Sequence, residues 1–306
     1  MNARRLRFVL CGLVALVVLY AAACTNRGAN KVDPSRPAPQ TAGVGPSDIW
    51  GLGSASASAL ASPSLSGAPA AGGWWKPTVG LTWQWQLTGT LDKSVAAQVY
   101  DVDAANTSAA DVAALKAAGR RVICYINVGA HEDFRPDAKN FPESVRGKGL
   151  DGWPGEKWLD VRRWDVLEPL LSARFKVCRD KGFDAVEPDN VDGYSNNSGF
   201  PLTAGDQLTF NRRVADLAHR LGLAVGLKND VEQARALAPA FDFAVNEECA
   251  RYDECDTLKV FTDTGKPVFH VEYDGSTSTF CAKVKPLRFS SMKKKLALDA
   301  WRESCY

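Results

Sequence analysis

The sequence predicts an α/β fold, a single (β/α)8 TIM barrel over residues 74–306, preceded by a signal peptide over 1–23 and a disordered linker over 24–73. Three observations carry this. From Thr82 onward, short β-branched and aromatic runs alternate with helical patterns, the mark of parallel βα units. The part after the linker is about 230 residues long, the usual size of one such barrel. Two strand-like runs, Phe183–Glu187 and Phe243–Asn246, end directly in carboxylates, as strands do when they empty into a shared mouth.

The first segment reads as an export signal. Arg4, Arg5 and Arg7 precede an apolar stretch, Phe8 to Ala23, of roughly 16 residues, short of a membrane span. Ala21, Ala22 and Ala23 stand directly before Cys24, a lipoprotein-like cleavage site at which the Cys24 thiol would be acylated; the same alanines also fit an ordinary A-x-A site. The mature protein is therefore expected outside the cytoplasm, extracellular or on the cell surface, touching a membrane only through Cys24. Residues 25–73 are Ser, Ala, Gly and Pro with few charges and no apolar periodicity, too poor in burial to offset their ordering entropy. As a coil they would span roughly 40 Å.

Eight strands are expected, at Thr82–Trp85, Ala97–Tyr100, Arg121–Asn127, Phe183–Glu187, Ala224–Lys228, Phe241–Asn246, Pro267–Glu272 and Leu287–Ser290. Helices over Ser108–Ala118, Trp164–Lys181 and Ala204–Leu221 each stop at a glycine, the residue best able to adopt a left-handed cap. Shorter helices are expected at Val231–Leu237 and Cys255–Thr264. Residues 131–158, rich in Gly, Pro and charge, read as a long insertion after the third strand.

The formal charge is +2, and loss of residues 1–23, with three arginines and no acid, takes it to −1. Nothing in that balance points to nucleic acid. Cys124, Cys178, Cys249, Cys255, Cys281 and Cys305 form an even set in an exported chain, which implies disulfides. The expected pairs are Cys249–Cys255, Cys281–Cys305 and Cys124–Cys178. No C-x-x-C pair occurs, and His131, His219 and His270 are scattered without ligand spacing, so neither a metal nor another cofactor is expected. His270 reads as a core histidine.

A barrel would gather Asp101 and Asp103, Tyr125 and Asn127, Glu187, Asp189, Asn190 and Asp192, Lys228, Asn229 and Asp230, Glu247 and Glu248, and Glu272, Tyr273 and Asp274 at one mouth. Such a rim concentrates negative potential and favours a cationic ligand. Asp192, Asp230 and Asp274 also suit turns and helix caps. Lys228 suits an ion pair as well as a substrate contact. Trp83 and Trp85 read as barrel packing, Trp153 and Trp158 as glycan-flanking. Glycosidic cleavage needs one carboxyl to protonate the leaving oxygen and a second to attack or to activate water, roles that Asp189 and Glu247 suit.

Several motifs, in this order, resemble the endo-alpha-1,4-polygalactosaminidase glycoside hydrolases: Thr82-Trp83-Gln84-Trp85-Gln86-Leu87, Tyr100-Asp101-Val102-Asp103, Cys124-Tyr125-Ile126-Asn127-Val128-Gly129, Phe183 to Tyr194, Gly226-Leu227-Lys228-Asn229, Val245-Asn246-Glu247-Glu248-Cys249 and Leu298-Asp299-Ala300-Trp301-Arg302. The resemblance covers Trp75 to Cys305. It implies a TIM barrel, a galactosamine-containing polysaccharide as substrate, and the pair Asp189 and Glu247 as catalytic. By analogy with other α-glycosidase barrels it implies Asp189 as nucleophile, Glu247 as acid/base and retained configuration. Gln86, Asp101, Asp103, Tyr125, Asn127, Asn190, Lys228, Asn229, Glu248, Glu272 and Tyr273 are the expected substrate contacts. Glu248 departs from the family's frequent Gln at that place. The chain is expected to act as a monomer. A non-catalytic glycan-binding lipoprotein on the same barrel and a metal-assisted carboxylate enzyme are the competing classes.

Overall fold

The computed structural model describes residues 73–306. The expected signal peptide, nearly all of the linker and the Cys24 lipidation site lie outside the described residues.

The chain enters through β1 (Trp83–Gln86), β2 (Val99–Asp103) and β3 (Arg121–Asn127). An insertion then adds β4 (Ala130–Glu132), β5 (Arg146–Leu150) and β6 (Trp153–Leu159). The main run resumes with β7 (Ala185–Asp189), β8 (Ala224–Lys228), β9 (Phe243–Glu247), β10 (Val268–Glu272) and β11 (Ser290–Lys293), and β12 (Glu303–Ser304) follows. Helices α1 (Ala109–Ala117), α2 (Trp164–Asp180), α3 (Ala204–Arg220), α4 (Ala234–Leu237), α5 (Cys255–Asp263) and α6 (Thr277–Val284) fill the connections. The result is an α/β fold around a curled sheet in which β1-β2-β3-β7-β8-β9-β10-β11 pair in parallel and in sequence order. All eight expected strands are present, displaced by at most three residues at their starts and ends.

Among the described residues no ladder joins β1 to β11, a difference from the regular closure expected. Contacts of another kind cross that seam. Trp83 Nε1 donates to Ser290 O at 2.8 Å. Residues 298–305 then run along it: Leu298 O accepts from Leu87 N at 2.9 Å, Gln84 Nε2 donates to Ala300 O at 2.8 Å, Arg302 donates to Trp83 O, and β12 pairs antiparallel with β11. The tail supplies partners to edge groups that would otherwise lack them.

Period-two alternation sorts the strand residues. Trp83, Trp85, Val99, Ile123, Ala185, Ala224, Phe243, Val245, Phe269, Val271 and Met292 face inward as one apolar cluster. Their neighbours, such as Val102, Val122, Cys124, Val186, Val225 and Leu227, pack outward against the helices. Interior crowding is tight at Gly226, where an added Cβ would meet the Phe243 ring at 2.3 Å. The same alternation carries each inward row from apolar to charged toward the carboxyl ends: Val99 to Asp101, Ile123 to Tyr125, Ala185 to Glu187 and Asp189, Val245 to Glu247.

Helices end as expected at Gly119, Gly182 and Gly222, all at positive φ. Ser108 caps α1, and a Thr203–Asp206 capping box opens α3. The insertion is more ordered than a loop, because β4 and β5 both pair antiparallel with β6. The disulfides are Cys124–Cys178, Cys249–Cys255 and Cys281–Cys305, the expected pairs. His270, near the sulfurs of Cys249 and Cys255, is fully buried between Ser291 Oγ at 3.0 Å and Glu272 at 2.8 Å, a satisfied core histidine.

Candidate active site

Lys228 ends β8 on the inner face of the curled sheet and is 3% exposed. Its ammonium lies 3.1 Å from Glu187 Oε1, 3.1 Å from Asp189 Oδ1 and 3.3 Å from Glu247 Oε2. The Trp85 ring lies 4.9 Å beneath it. One buried cation thus ties together three carboxylates from β7 and β9.

Each carboxylate is held by further donors. Asp189 accepts from the Tyr125 hydroxyl at 2.7 Å and from Asn190 N at 2.8 Å. Burial works to raise this carboxyl, but Lys228 and those two donors more than offset it and hold Asp189 below the usual aspartate range. Glu247 accepts from Asn229 Nδ2 at 3.1 Å and from the Tyr273 hydroxyl, while its own N–H donates to Asn229 Oδ1 at 2.9 Å. Asn190 and Asn229 take φ of 60° and 49°, left-handed positions that a short polar side chain tolerates. These kinks turn both backbones at the mouth and aim the donors inward. Glu187 lies deeper, fully buried, with Trp85 Nε1 at 3.1 Å; burial, opposed by Lys228, pushes it up to about 7.

The surroundings are acidic. Glu156 on β6 faces the mouth with Asn127 Nδ2 at 3.4 Å; burial, then the charges of Glu132 and Asp189, raise it to about 7. Burial and Asp189 raise Asp192 to about 6. Burial, then Asp192 and Glu232, raise Asp230 to about 8. No lysine, arginine or histidine nitrogen among the described residues lies within 4.0 Å of Glu156, Asp192 or Asp230.

The structure brings Asp189, Glu247, Tyr125, Asn190, Lys228, Asn229 and Tyr273 together at one mouth. Other expected contacts are placed elsewhere. Gln86 faces outward and pins the following loop through Thr88 O, Thr90 O and Asp92 N, so it has no amide left for a substrate. Glu272 also faces outward, to Ala250 N and His270. Asp103 is buried against Arg135 at 2.8 Å and the Ala105 and Asn106 amides. Asn127 is 1% exposed and spends its oxygen on Ala130 N. Asp101 lies at the floor, 0% exposed. Glu248 turns off at φ 62° into an ion pair with Arg251 at 2.6 Å. Trp153 is exposed, whereas Trp158 is buried against Gly193.

Sequence reasoning assigned no role to Glu187 or Glu156. The period of two already places Glu187 in line with Asp189. For Glu156, inside a stretch that reads as loop, the sequence offered no signal.

A pair of mouth carboxylates on a parallel α/β scaffold, tied to a shared cation and flanked by tyrosines, has the two acidic groups that a hydrolase of the glycosidase class requires. The chain belongs to the glycoside-hydrolase family GH114, whose family profile matches residues 64–306. It is a glycoside hydrolase. Among solved structures it is similar to Aspergillus fumigatus Ega3 in complex with galactosamine, at 40% identity and a TM-score of 0.72, covering 76% of this chain and 98% of that one. It also shares its fold with the glycoside hydrolase domain of PelA from Pseudomonas aeruginosa, at 16% identity and a TM-score of 0.57, covering 73% and 97%. No curated protein sequence matches it.

Proposed function

We propose that this enzyme cleaves α-1,4-linked galactosamine-containing polysaccharide internally and with retained configuration, Asp189 acting as nucleophile and Glu247 as acid/base. The curled sheet with its tail-lined seam is read as a (β/α)8 barrel. The observation that carries the proposal is the shared ammonium of Lys228. Because it lies 3.1 Å from one oxygen of Asp189 and 3.3 Å from one of Glu247, those oxygens are at most about 6.4 Å apart, a bound that accommodates the ~5–5.5 Å of a retaining pair.

In the first step the ionised Asp189 attacks the anomeric carbon while Glu247 passes a proton to the leaving oxygen. In the second, Glu247 takes a proton from water as that water releases the sugar from Asp189. Three donors keep Asp189 ionised. The ionised Asp189, with Asp192 above about pH 6, adds negative charge that suits the free amines of a partly deacetylated polymer, and the galactosamine bound by Ega3 supports that substrate. Export and a lipid tether at Cys24 complete the reading, placing a monomeric enzyme outside the cell.

The test is incubation of the purified protein with acetylated and deacetylated galactosaminogalactan, with product sizes and anomeric configuration followed by NMR. Internal cleavage of the deacetylated polymer with retention is expected. Asp189→Asn and Glu247→Gln should each lower turnover by about 10²–10⁴ with folding intact, while Glu248→Gln should be mild. Inverted product, or near-normal turnover by Asp189→Asn, would overturn the assignment.

A further inference from the structure

Beneath the mouth, two carboxyl groups meet where there is room for one negative charge. Asp101 on β2 and Glu187 on β7 are both 0% exposed. Glu187 has the Trp85 N–H and the Lys228 ammonium, each at 3.1 Å. Asp101 has neither: no donor among the described residues reaches either of its carboxyl oxygens. A buried carboxylate without donors has lost its hydration and received nothing in return, so it takes up a proton. The protonated group is then a donor, and the acceptor it faces is Glu187.

The charges around the pair agree. Asp101 meets Glu187 and Asp189 from β7 and Lys228 from β8. Glu187 also lies near the Tyr125 hydroxyl on β3 and Tyr273 after β10, and Glu247 on β9 shares Lys228. Burial first, and Glu187 second, push Asp101 well above the usual aspartate range, with Lys228 opposing. If Asp101 were ionised, two adjacent negative charges on the floor would draw the Lys228 ammonium down and away from Asp189 and Glu247. A neutral Asp101 leaves that ammonium shared.

We propose that Asp101 is a standing carboxylic acid and a positioning residue: its O–H, donated to Glu187, fixes Glu187 as the anchor of Lys228, and Lys228 sets the spacing of Asp189 and Glu247. The last link rests on the catalytic roles proposed above; the first does not.

Carbon-13 NMR of the aspartate-labelled protein tests the first link directly. The Asp101 carboxyl resonance, assigned by its loss in Asp101→Asn, is expected at the position of a neutral acid near about pH 7. A resonance that titrates as an ordinary carboxylate overturns the proposal, whatever the substrate proves to be. Turnover tests the second link. Asn carries a neutral N–H donor, so Asp101→Asn should keep kcat within about threefold with the same pH profile, whereas Asp101→Leu, which leaves Glu187 without that donor, should lose about tenfold or more in kcat, shift the acid limb and leave KM little changed. An Asp101→Asn enzyme that folds but is as slow as Asp189→Asn overturns the positioning role. Should Asp101→Leu not fold, the resonance and the Asn variant still decide.

Discussion

Lys228→Met keeps the length and apolar body of the side chain over Trp85 and deletes one charge. In the native site that charge lies within 3.3 Å of Glu187, Asp189 and Glu247. Removing one partner of a buried ion pair costs ~3–5 kcal/mol, and here Glu187, already near pH 7, recovers part of that by taking a proton. A net loss of about 3 kcal/mol corresponds to a fall of ~6–12 °C in Tm for a domain of this size. An opposite charge at this range holds a carboxylate down by ~1–3 pH units, so Asp189 should rise by that amount. The signs follow. Asp189 is lowered in the folded state, so its stabilisation is present above its unfolded value and lost as pH falls through the folded one. Lys228 is raised, so its share is fully present below the unfolded lysine value and lost only as pH climbs through the folded one. The deficit of the methionine variant should therefore be largest near neutrality and shrink in strong acid, where both proteins have protonated carboxyls. The acid limb of kcat/KM should move up by ~1–3 units. Profiles of kcat/KM and calorimetric Tm against pH check both. An unmoved acid limb, or a Tm deficit equal at about pH 3 and 7, would refute the reasoning.

The raised Asp230 carries the opposite sign: its burden on the fold builds as pH climbs from the ordinary aspartate range and is complete above about 8, so Asp230→Asn should match the parent in strong acid and exceed its Tm from neutrality upward, read by thermal melts across pH. With all three disulfides formed, the denatured, unreduced domain should show no free thiol among its six cysteines, and reduction of Cys124–Cys178, which closes 54 residues, should cost ~4 kcal/mol in denaturant titrations. Removal of residues 1–70 should leave fold and hydrolysis of soluble polymer intact, whereas a cut after Lys76 should lower Tm, because Trp74 stacks on His219 at 3.9 Å and, with Lys76, bonds Asp242.

Most of the fold could be read in the sequence because each βα unit carries its own punctuation. Runs such as Arg121–Asn127 and Ala224–Lys228 combine β-branched residues with a glycine-stopped helix nearby, and both match the observed strands residue for residue. The insertion was opaque because β5 and β6 gain their pairing from one another and from packing such as Trp158 on Gly193, which no local pattern records. The mouth residues were legible as strand ends, yet their division was not. Alternation alone would have turned Gln86 and Glu272 outward, because Trp85 and Val271 beside them face in. Asp103 was lost to Arg135, thirty-two positions away, a partner visible only in three dimensions.

The seam between β1 and β11 bears on how the molecule is made. Residues 298–305 lie between strands that are themselves more than 200 positions apart, so neither edge is covered until this stretch has been made and docked. Earlier intermediates carry two open sheet edges, the sites at which chains join one another. Cys281–Cys305 then ties the stretch to α6, so oxidation of that pair fixes the cover over both edges.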